Sequence, residues 1–268
     1  MRIALVSDVF FDNDPAGRLA ARLREARGGG ADLALLPEIP LNPWSPAATT
    51  PRDDDAEGPA GPRHQMLADA ARAAGIAVVG GVILRDAVSG RRTNTAVVFD
   101  RAGALVARYS KVHLPNEPGF HEPCHYDAGV EPPRVIRGFD VPLGIQICSD
   151  INRPEGSHIL AAQGAAVILH PRATEAGTID RWRLVLRAVA MTTATYVVSV
   201  NRPRPEGGVP LGGPSIAVDP NGDVLAESTN PIVIVAIDRA RLAQGKARYP
   251  GYLKIFPEIY ARGWHETG

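Results

Sequence analysis

Three polar residues of catalytic type stand at the ends of apolar, β-rich runs: Glu38 after "LALLP", Lys111 after "ARYS" and Cys148 after "LGIQI". Open α/β folds assemble their chemistry at strand ends, so these three belong in one argument. A cysteine attacks carbon as its thiolate, which a nearby base or cation favours. A glutamate can take the thiol proton and later activate a water. A lysine supplies a fixed positive donor for the oxyanion of a tetrahedral intermediate, worth roughly 3 kcal/mol per donor in known cases. Together the three types suit acyl transfer at a carbon-nitrogen bond.

Taken alone, Cys148 has four readings: a buried small hydrophobe, half of a disulfide, a metal ligand or a nucleophile. Two cysteines in 268 residues make no disulfide framework, and in a reducing compartment Cys124 and Cys148 are expected as thiols. Lysine is scarce in this chain. Of 29 basic residues only Lys111, Lys246 and Lys254 are lysines, and a site that needs a compact, rotatable ammonium is not served by a planar guanidinium.

The elements that must position these residues follow an α/β rhythm. "RIALVS", "GRLAARLREA", "ADLALLPE", "HQMLADAARAA" and "GIAVVGGVIL" alternate between strand-like and helix-like patterns. "NTAVVFD" and "LVARYS", split by "DRAGA", predict a hairpin, so antiparallel pairing joins the alternation and the sheet is expected to be mixed. The second half repeats the rhythm: a strand into Cys148, a helix from about 155 to 163, the strand "AAVILH", the helix "IDRWRLVLRAVAMTTA", the strand "TYVVSVN", a hairpin over "SIAVDPNGDVLAES" and a last strand "PIVIVAID". The stretch "NPWSPAATTPRDDDAEGPAGP" reads as a surface loop at the rim of a site. No segment has the composition of a linker, so one domain over 1–268 is expected.

Formal net charge is zero with 22% charged residues, which excludes recruitment of nucleic acid or an anionic membrane by bulk charge. "MRIALVSDVF" reads as neither a secretory peptide nor a membrane span, so the cytoplasm is the expected compartment. "RGGGAD" follows a helix and lacks a downstream lysine, which makes a poor phosphate loop.

The text around the three residues is more specific than their types. "LLPE" at 35–38, "YSKVHLP" at 109–115 and "ICSDINRPE" at 147–155 resemble, in the same order, the three blocks of the nitrilase or carbon-nitrogen hydrolase superfamily. "GFHEPCHYDAG" is similar to the family's loop after the lysine and offers Glu122 as a second glutamate, with Glu117 the alternative if the register shifts. "QGAAVILHP", "GGPSIAVDPNGDVLAE" and "YLKIFPEIY" extend the resemblance along nearly the whole chain. It implies an α/β fold, a four-layer α-β-β-α sandwich of two mixed sheets flanked by helices, paired into homodimers or larger homo-oligomers. It also implies Cys148 as nucleophile, Glu38 as general base, Lys111 with the backbone N–H of Ser149 as oxyanion stabiliser, and Glu122 orienting the lysine or the substrate amide. The implied reaction passes through a thioester and needs no metal or organic cofactor.

Departures from the family's pattern bear on substrate. Where relatives carry aromatic residues beside the cysteine and before the Pro-Glu pair, this chain has Ser149 and Arg153, which predicts a more polar site. In the loop after the next strand, "HPRATE" places His170, Arg172, Thr174 and Glu175 where relatives line the substrate pocket. Arg172 there is expected to hold a substrate carboxylate bidentately, favouring an N-carbamoyl amino acid or an acidic amide, and the competing reading is a solvated arginine or a pair with Glu175. Trp44 is expected as a pocket wall or a surface anchor. His121, Cys124 and His125 cluster within five residues, but structural zinc needs a fourth ligand and no partner pair follows. The expected activity is hydrolysis of a small-molecule amide or N-carbamoyl amide. A nitrilase, a catalytically silent scaffold of the same fold and a redox-sensing thiol are the alternatives.

Overall fold

The computed structural model describes residues 1–267. In chain order the elements are β1 (Arg2–Val6), α1 (Pro15–Gly28), β2 (Leu33–Leu35), β3 (Ala56–Glu57), α2 (Pro62–Ala74), β4 (Ala77–Arg85), β5 (Arg92–Phe99), β6 (Leu105–Ser110), β7 (Asn116–Glu117), β8 (Phe120–His121), β9 (Leu143–Ile145), α3 (Pro154–Ala162), β10 (Val167–Arg172), α4 (Ile179–Thr193), β11 (Tyr196–Asn201), β12 (Ser215–Val218), β13 (Val224–Ser228), β14 (Ile232–Ala236), α5 (Arg239–Ala247) and α6 (Pro257–His265).

Helix boundaries follow local chemistry. Asp14 accepts a hydrogen bond from the Gly17 amide ahead of Pro15, which opens α1 with its φ preset. Gly75, at φ 63°, ends α2 in the left-handed conformation that only glycine adopts freely. Crossovers through α1 and α2 leave β1, β2 and β4 parallel, while the hairpin strands β5 and β6 run antiparallel. The first sheet is ordered β14-β1-β2-β4-β5-β6 with β3 beside β4, and the second β13-β12-β11-β10-β9. Both are mixed, as expected, and the late hairpin is β12–β13.

Strand alternation sorts most of the apolar residues into the three cores between layers, and a fourth cluster around Ile39, Trp44 and Ile83 lies beside the turn after Glu38. Leu5, Leu35, Val79 and Val98 of the first sheet meet Ile145, Leu169 and Val198 of the second. On the other face of the first sheet, Ala4, Val78 and Val97 pack under Leu19, Leu23 and Leu67 of α1 and α2. Ile168, Val197 and Ile216 of the second sheet pack under Leu186 and Val189 of α4. The result is the α-β-β-α sandwich that the resemblance implies.

The stretch after Glu38 is more than a rim: it carries β3 and buries Trp44 to 2% exposure. At the other end, α6 buries none of its residues, and Tyr249, Leu253, Phe256, Ile259, Tyr260 and Trp264 are each more than half exposed. Among the described residues no helix is long and apolar enough to cross a membrane.

Candidate active site

Three strands deliver three side chains to one place. β2 runs into Glu38, β6 into Lys111, and β9 into a single 3-10 turn, Cys148–Asn152, that begins at the cysteine. The turn after Glu38 passes so close to β4 that a Cβ on Gly81 would lie 2.5 Å from the Ile39 nitrogen. Glycine is required there. Buried Arg202 fixes the same turn from the other side, donating from Nη1 to the carbonyls of Glu38 and Ile39 at 2.9 and 3.0 Å.

Lys111 is fully buried between two carboxylates. Its Nζ donates to Glu38 Oε1 at 2.8 Å and to Glu122 Oε1 and Oε2 at 2.6 and 2.8 Å. Glu122, and not Glu117, is therefore the second carboxylate on the lysine; Glu117 lies exposed on β7. Asn94 of β5 also donates to Glu38 Oε1, at 2.8 Å, while Glu38 Oε2 is buried with no partner in the protein. One oxygen is thus held and the other is available as an acceptor.

Electrostatics follow from burial. Desolvation works against the Lys111 ammonium, but the charges of Glu122 and Glu38 outweigh it and hold its pKa well above the ordinary lysine value. Burial pushes Glu122 up to about 8 against the pull of Lys111. Burial, with the Glu38 charge adding to it, raises the Cys148 thiol well above its ordinary value, so the resting group is a thiol. Attack on carbon then requires a base that takes the proton as the bond forms.

Cys148 sits in the left-handed region at φ 45°, unusual for a residue with a Cβ. Its Sγ lies 3.8 Å from the Ala173 carbonyl and borders a cavity of about 520 Å³ whose wall includes Ser149, Phe120, Thr174, Arg181 and Trp182. Asp150, two residues on, ties the turn to the lysine loop. Its Oδ1 accepts from the Val112 and His113 amides at 3.1 and 2.9 Å, and its Oδ2 from the Tyr109 hydroxyl at 2.9 Å and the Ile147 amide at 3.3 Å. A larger cavity of about 750 Å³ lies between β6 and residues 128–137 and holds none of Glu38, Lys111, Glu122 or Cys148. Several of its arginines are engaged, Arg85 with Asp53, Arg91 with the Ala128 carbonyl and Arg137 with the Gln163 carbonyl.

The four residues expected to meet substrate divide. Ser149 lines the cavity and donates its hydroxyl to the His113 carbonyl. Trp44 stands one layer behind, its Nε1 donating to the Gly119 carbonyl at 2.9 Å and its ring edge-on to Phe120, which does line the cavity. Arg153 is exposed ahead of α3 and does not line the cavity. Arg172 is a correction: it is buried and does not line the cavity either. The reason is strand length. β10 continues through Pro171 to Arg172, so alternation puts Arg172 on the same face as Ile168 and His170, beneath α4, with its guanidinium 5.7 Å from the Trp182 ring. Of the soft cluster, His125 Nε2 is 2.7 Å from the Ala48 carbonyl and Cys124 is exposed.

Sequence reasoning missed Asn94, Asp150 and Arg202 and gave His170 no role beyond the pocket loop. An amide inside the β-rich "RTNTAVVF" was a signal, since a polar group buried in a strand needs a partner. His170 carries a stability consequence. Burial, with the Arg172 charge assisting, pushes its pKa from 6.5 down to about 3. Through that window the unfolded chain binds a proton that the folded chain refuses, so this contribution to stability is full above 6.5 and is lost as pH falls. The limiting slope is about 1.4 kcal/mol per pH unit. In His170→Gln, which does not titrate, urea unfolding between pH 4 and 7 is expected to lose about one unit of that slope; an unchanged slope would show that His170 is protonated in the folded state.

Comparison with known proteins gives the family. A family model described as carbon-nitrogen hydrolase matches residues 15–247. The chain is 30% identical over 261 residues to omega-amidase NIT2 of Homo sapiens, covering 93% of this chain and 92% of that protein. It is 35% identical over 239 residues to the chloroplastic omega-amidase of Arabidopsis thaliana, covering 85% of this chain but 64% of that protein's length. Among solved structures, a mutant of the amidase from Nesterenkonia sp. AN1 showing the result of Michael addition of acrylamide at the active site cysteine is similar at TM-score 0.75 and 27% identity, over 92% of this chain and 97% of that one. With matching folds, a family model over residues 15–247 and omega-amidase relatives at 30% identity or more, this protein belongs to the carbon-nitrogen hydrolase family as an enzyme of the amidase type.

Proposed function

We propose that the enzyme cleaves its amide through a thioester on Cys148, with Glu38 as the proton carrier and Lys111 as the oxyanion donor. The observation that carries this reading is the sealed Glu38–Lys111–Glu122 cluster, whose charges all act on the Cys148 thiol. Glu38, through its unpartnered Oε2, takes the thiol proton as Sγ bonds to the amide carbon. The carbonyl oxygen becomes an oxyanion that Lys111 Nζ and the Ser149 amide stabilise. Collapse breaks the carbon-nitrogen bond, Glu38 passes the proton to the departing nitrogen, and ammonia or amine leaves. In the second half Glu38 takes a proton from water, the resulting hydroxide adds to the thioester, and the proton returns to Sγ as the acid departs. Glu122 holds the lysine in place throughout.

For substrate, the reading is a small ω-amide whose tail carries a charge. Relatives are omega-amidases, and the cavity wall carries Arg181, for which no ion pair or hydrogen bond is formed among the described residues. Glu117 and Glu175 share the wall, so a tail of the opposite sign is the competing case. Ammonia release from the monoamide of a four- or five-carbon dicarboxylic acid, compared with the aliphatic amide of equal length, tests the choice. Arg181→Ala is expected to lower the ratio of their kcat/KM values about tenfold; an unchanged ratio removes Arg181 from recognition, and a rise in ammonia release from an amine-bearing amide points to the glutamates.

The enzyme is also read as a homodimer or larger homo-oligomer. What supports this is the α6 arm, an exposed apolar surface of a kind that soluble monomers rarely keep.

A further inference from the structure

We propose that Arg172, Ser199 and His170 form one positioning unit for the nucleophile, in which a buried guanidinium sets the proton of the histidine ring and the ring holds the backbone of Cys148. The inference rests on the reading of Cys148 as nucleophile and adds a device that the reading does not contain. It begins with hydrogen-bond polarity. The Cys148 carbonyl, 2.9 Å from His170 Nε2, can only accept, so Nε2 carries the proton. A neutral ring has one proton, which makes Nδ1 an acceptor, and its partner Ser199 Oγ, at 2.9 Å, must donate. With its proton so committed, Ser199 Oγ meets Arg172 Nε at 2.9 Å through a lone pair, and a guanidinium only donates. The remaining guanidinium nitrogens end on the Thr174 hydroxyl and the Pro214 carbonyl. With the ring neutral, as its burial beside the Arg172 charge favours, every proton on the path is assigned.

The path is built into the sheet. His170 faces Ser199 in the parallel register of β10 and β11, and Arg172 follows on the same face. All three side chains are buried, at 0 to 1% exposure. Among the described residues Arg172 forms no ion pair, so a permanent charge is buried on neutral acceptors, a costly arrangement that apolar packing alone does not call for. None of the three lines the cavity at Cys148. What they reach is the carbonyl of a residue at φ 45°, a conformation that persists only where its surroundings over-determine it. Rotation of Cys148 out of that region carries its carbonyl away from the ring and moves Sγ from its place by the Ala173 carbonyl. The unit therefore aims the sulfur, and Arg172 acts through Ser199 and His170 without touching substrate.

Ser199→Ala severs the path at its middle with little change in volume. The expected result is a fall in kcat on the order of 10- to 100-fold, the scale of an ångström-level misplacement, with KM within about twofold and a parallel slowing of Cys148 alkylation by iodoacetamide. Nitrogen-15 spectra of the wild-type enzyme are expected to show His170 protonated on Nε2 alone from pH 5 to 8, and Ser199→Ala to lose that single tautomer. Full kcat in Ser199→Ala overturns the proposal, as does a wild-type ring that titrates in this range or carries its proton on Nδ1. The wild-type spectra need neither turnover nor the variant, so they can overturn the proposal even where Ser199→Ala does not fold, and the variant's spectra count only where its melting curve shows a folded protein. Failure of the nucleophile reading is seen separately, as activity retained by Cys148→Ala.

Discussion

Cys148→Ala is expected to release ammonia at no more than about one ten-thousandth of the wild-type rate from any amide the enzyme accepts, because removal of a nucleophile removes a bond-forming step and not one contact among many. No neighbour can take over. Ser149, the adjacent hydroxyl on the cavity wall, has its proton committed to the His113 carbonyl, and a hydroxyl is a far weaker nucleophile than a thiol at the same base. The fold should be indifferent: Ala and Cys meet the same backbone strain at φ 45°, and the lost sulfur faces a cavity. Steady-state ammonia assays with matched melting curves check both points. Labelling offers a second readout. Cys124 is exposed and open to the reagent, whereas Cys148, held as a thiol by burial and by Glu38, should react slowly until a base is engaged. Mass mapping that finds Cys148 unprotected by a substrate analogue, with activity within tenfold of wild type in the alanine variant, would remove it from the mechanism.

Lys111→Met should cost both stability and rate. Methionine fills the same space but leaves Glu38 and Glu122, each fully buried, without their cation. Breaking a buried pair from one side costs about 3–5 kcal/mol, because the orphaned charge has no water to turn to. Relief comes through protonation: Glu122, already raised to about 8, should rise further once the lysine is gone. With a folded value above its unfolded one, the variant's stability falls as pH rises through the neutral range, so it should be most stable in weak acid, to the extent that other titrating groups allow. On the rate side, loss of the oxyanion donor costs on the order of 10²- to 10³-fold even where the protein folds. Lys111→Arg is no rescue, since a planar guanidinium does not place one donor between three carboxylate oxygens. Urea unfolding from pH 5 to 8 beside single-turnover ammonia release would measure both effects. Wild-type stability in the methionine variant would mean that Glu38 and Glu122 are not charged together.

Periodicity and three short blocks made the alternating elements, both hairpins and the strand-end residues legible, because these are local patterns that repeat what a strand or helix needs to bury. Pairing over long distances was not legible. β14 lies 226 residues beyond the end of β1 by number, 6 against 232, yet the two strands pair antiparallel along their lengths. The strand read as "AAVILH" runs two residues further, through Pro171 to Arg172, although proline inside a strand usually argues against one. Here β9 has already ended at Ile145, and β10 loses that neighbour after Leu169, so the proline's missing N–H falls where no ladder partner waits. That one extension of the strand turned Arg172 from the pocket into the core. Asp150 stayed hidden for another reason: its partners, Tyr109, Val112 and His113, come from a block about 40 residues earlier, and only the folded turn brings them to one carboxylate.

The bare arm has a bearing on how such an enzyme is handled. On the oligomeric reading, the apolar side chains of α6 are covered only when copies meet, so part of each chain's stability grows with the logarithm of its own concentration. Dilution then acts as a mild denaturant, and a melting temperature belongs to a sample and its concentration as much as to a sequence.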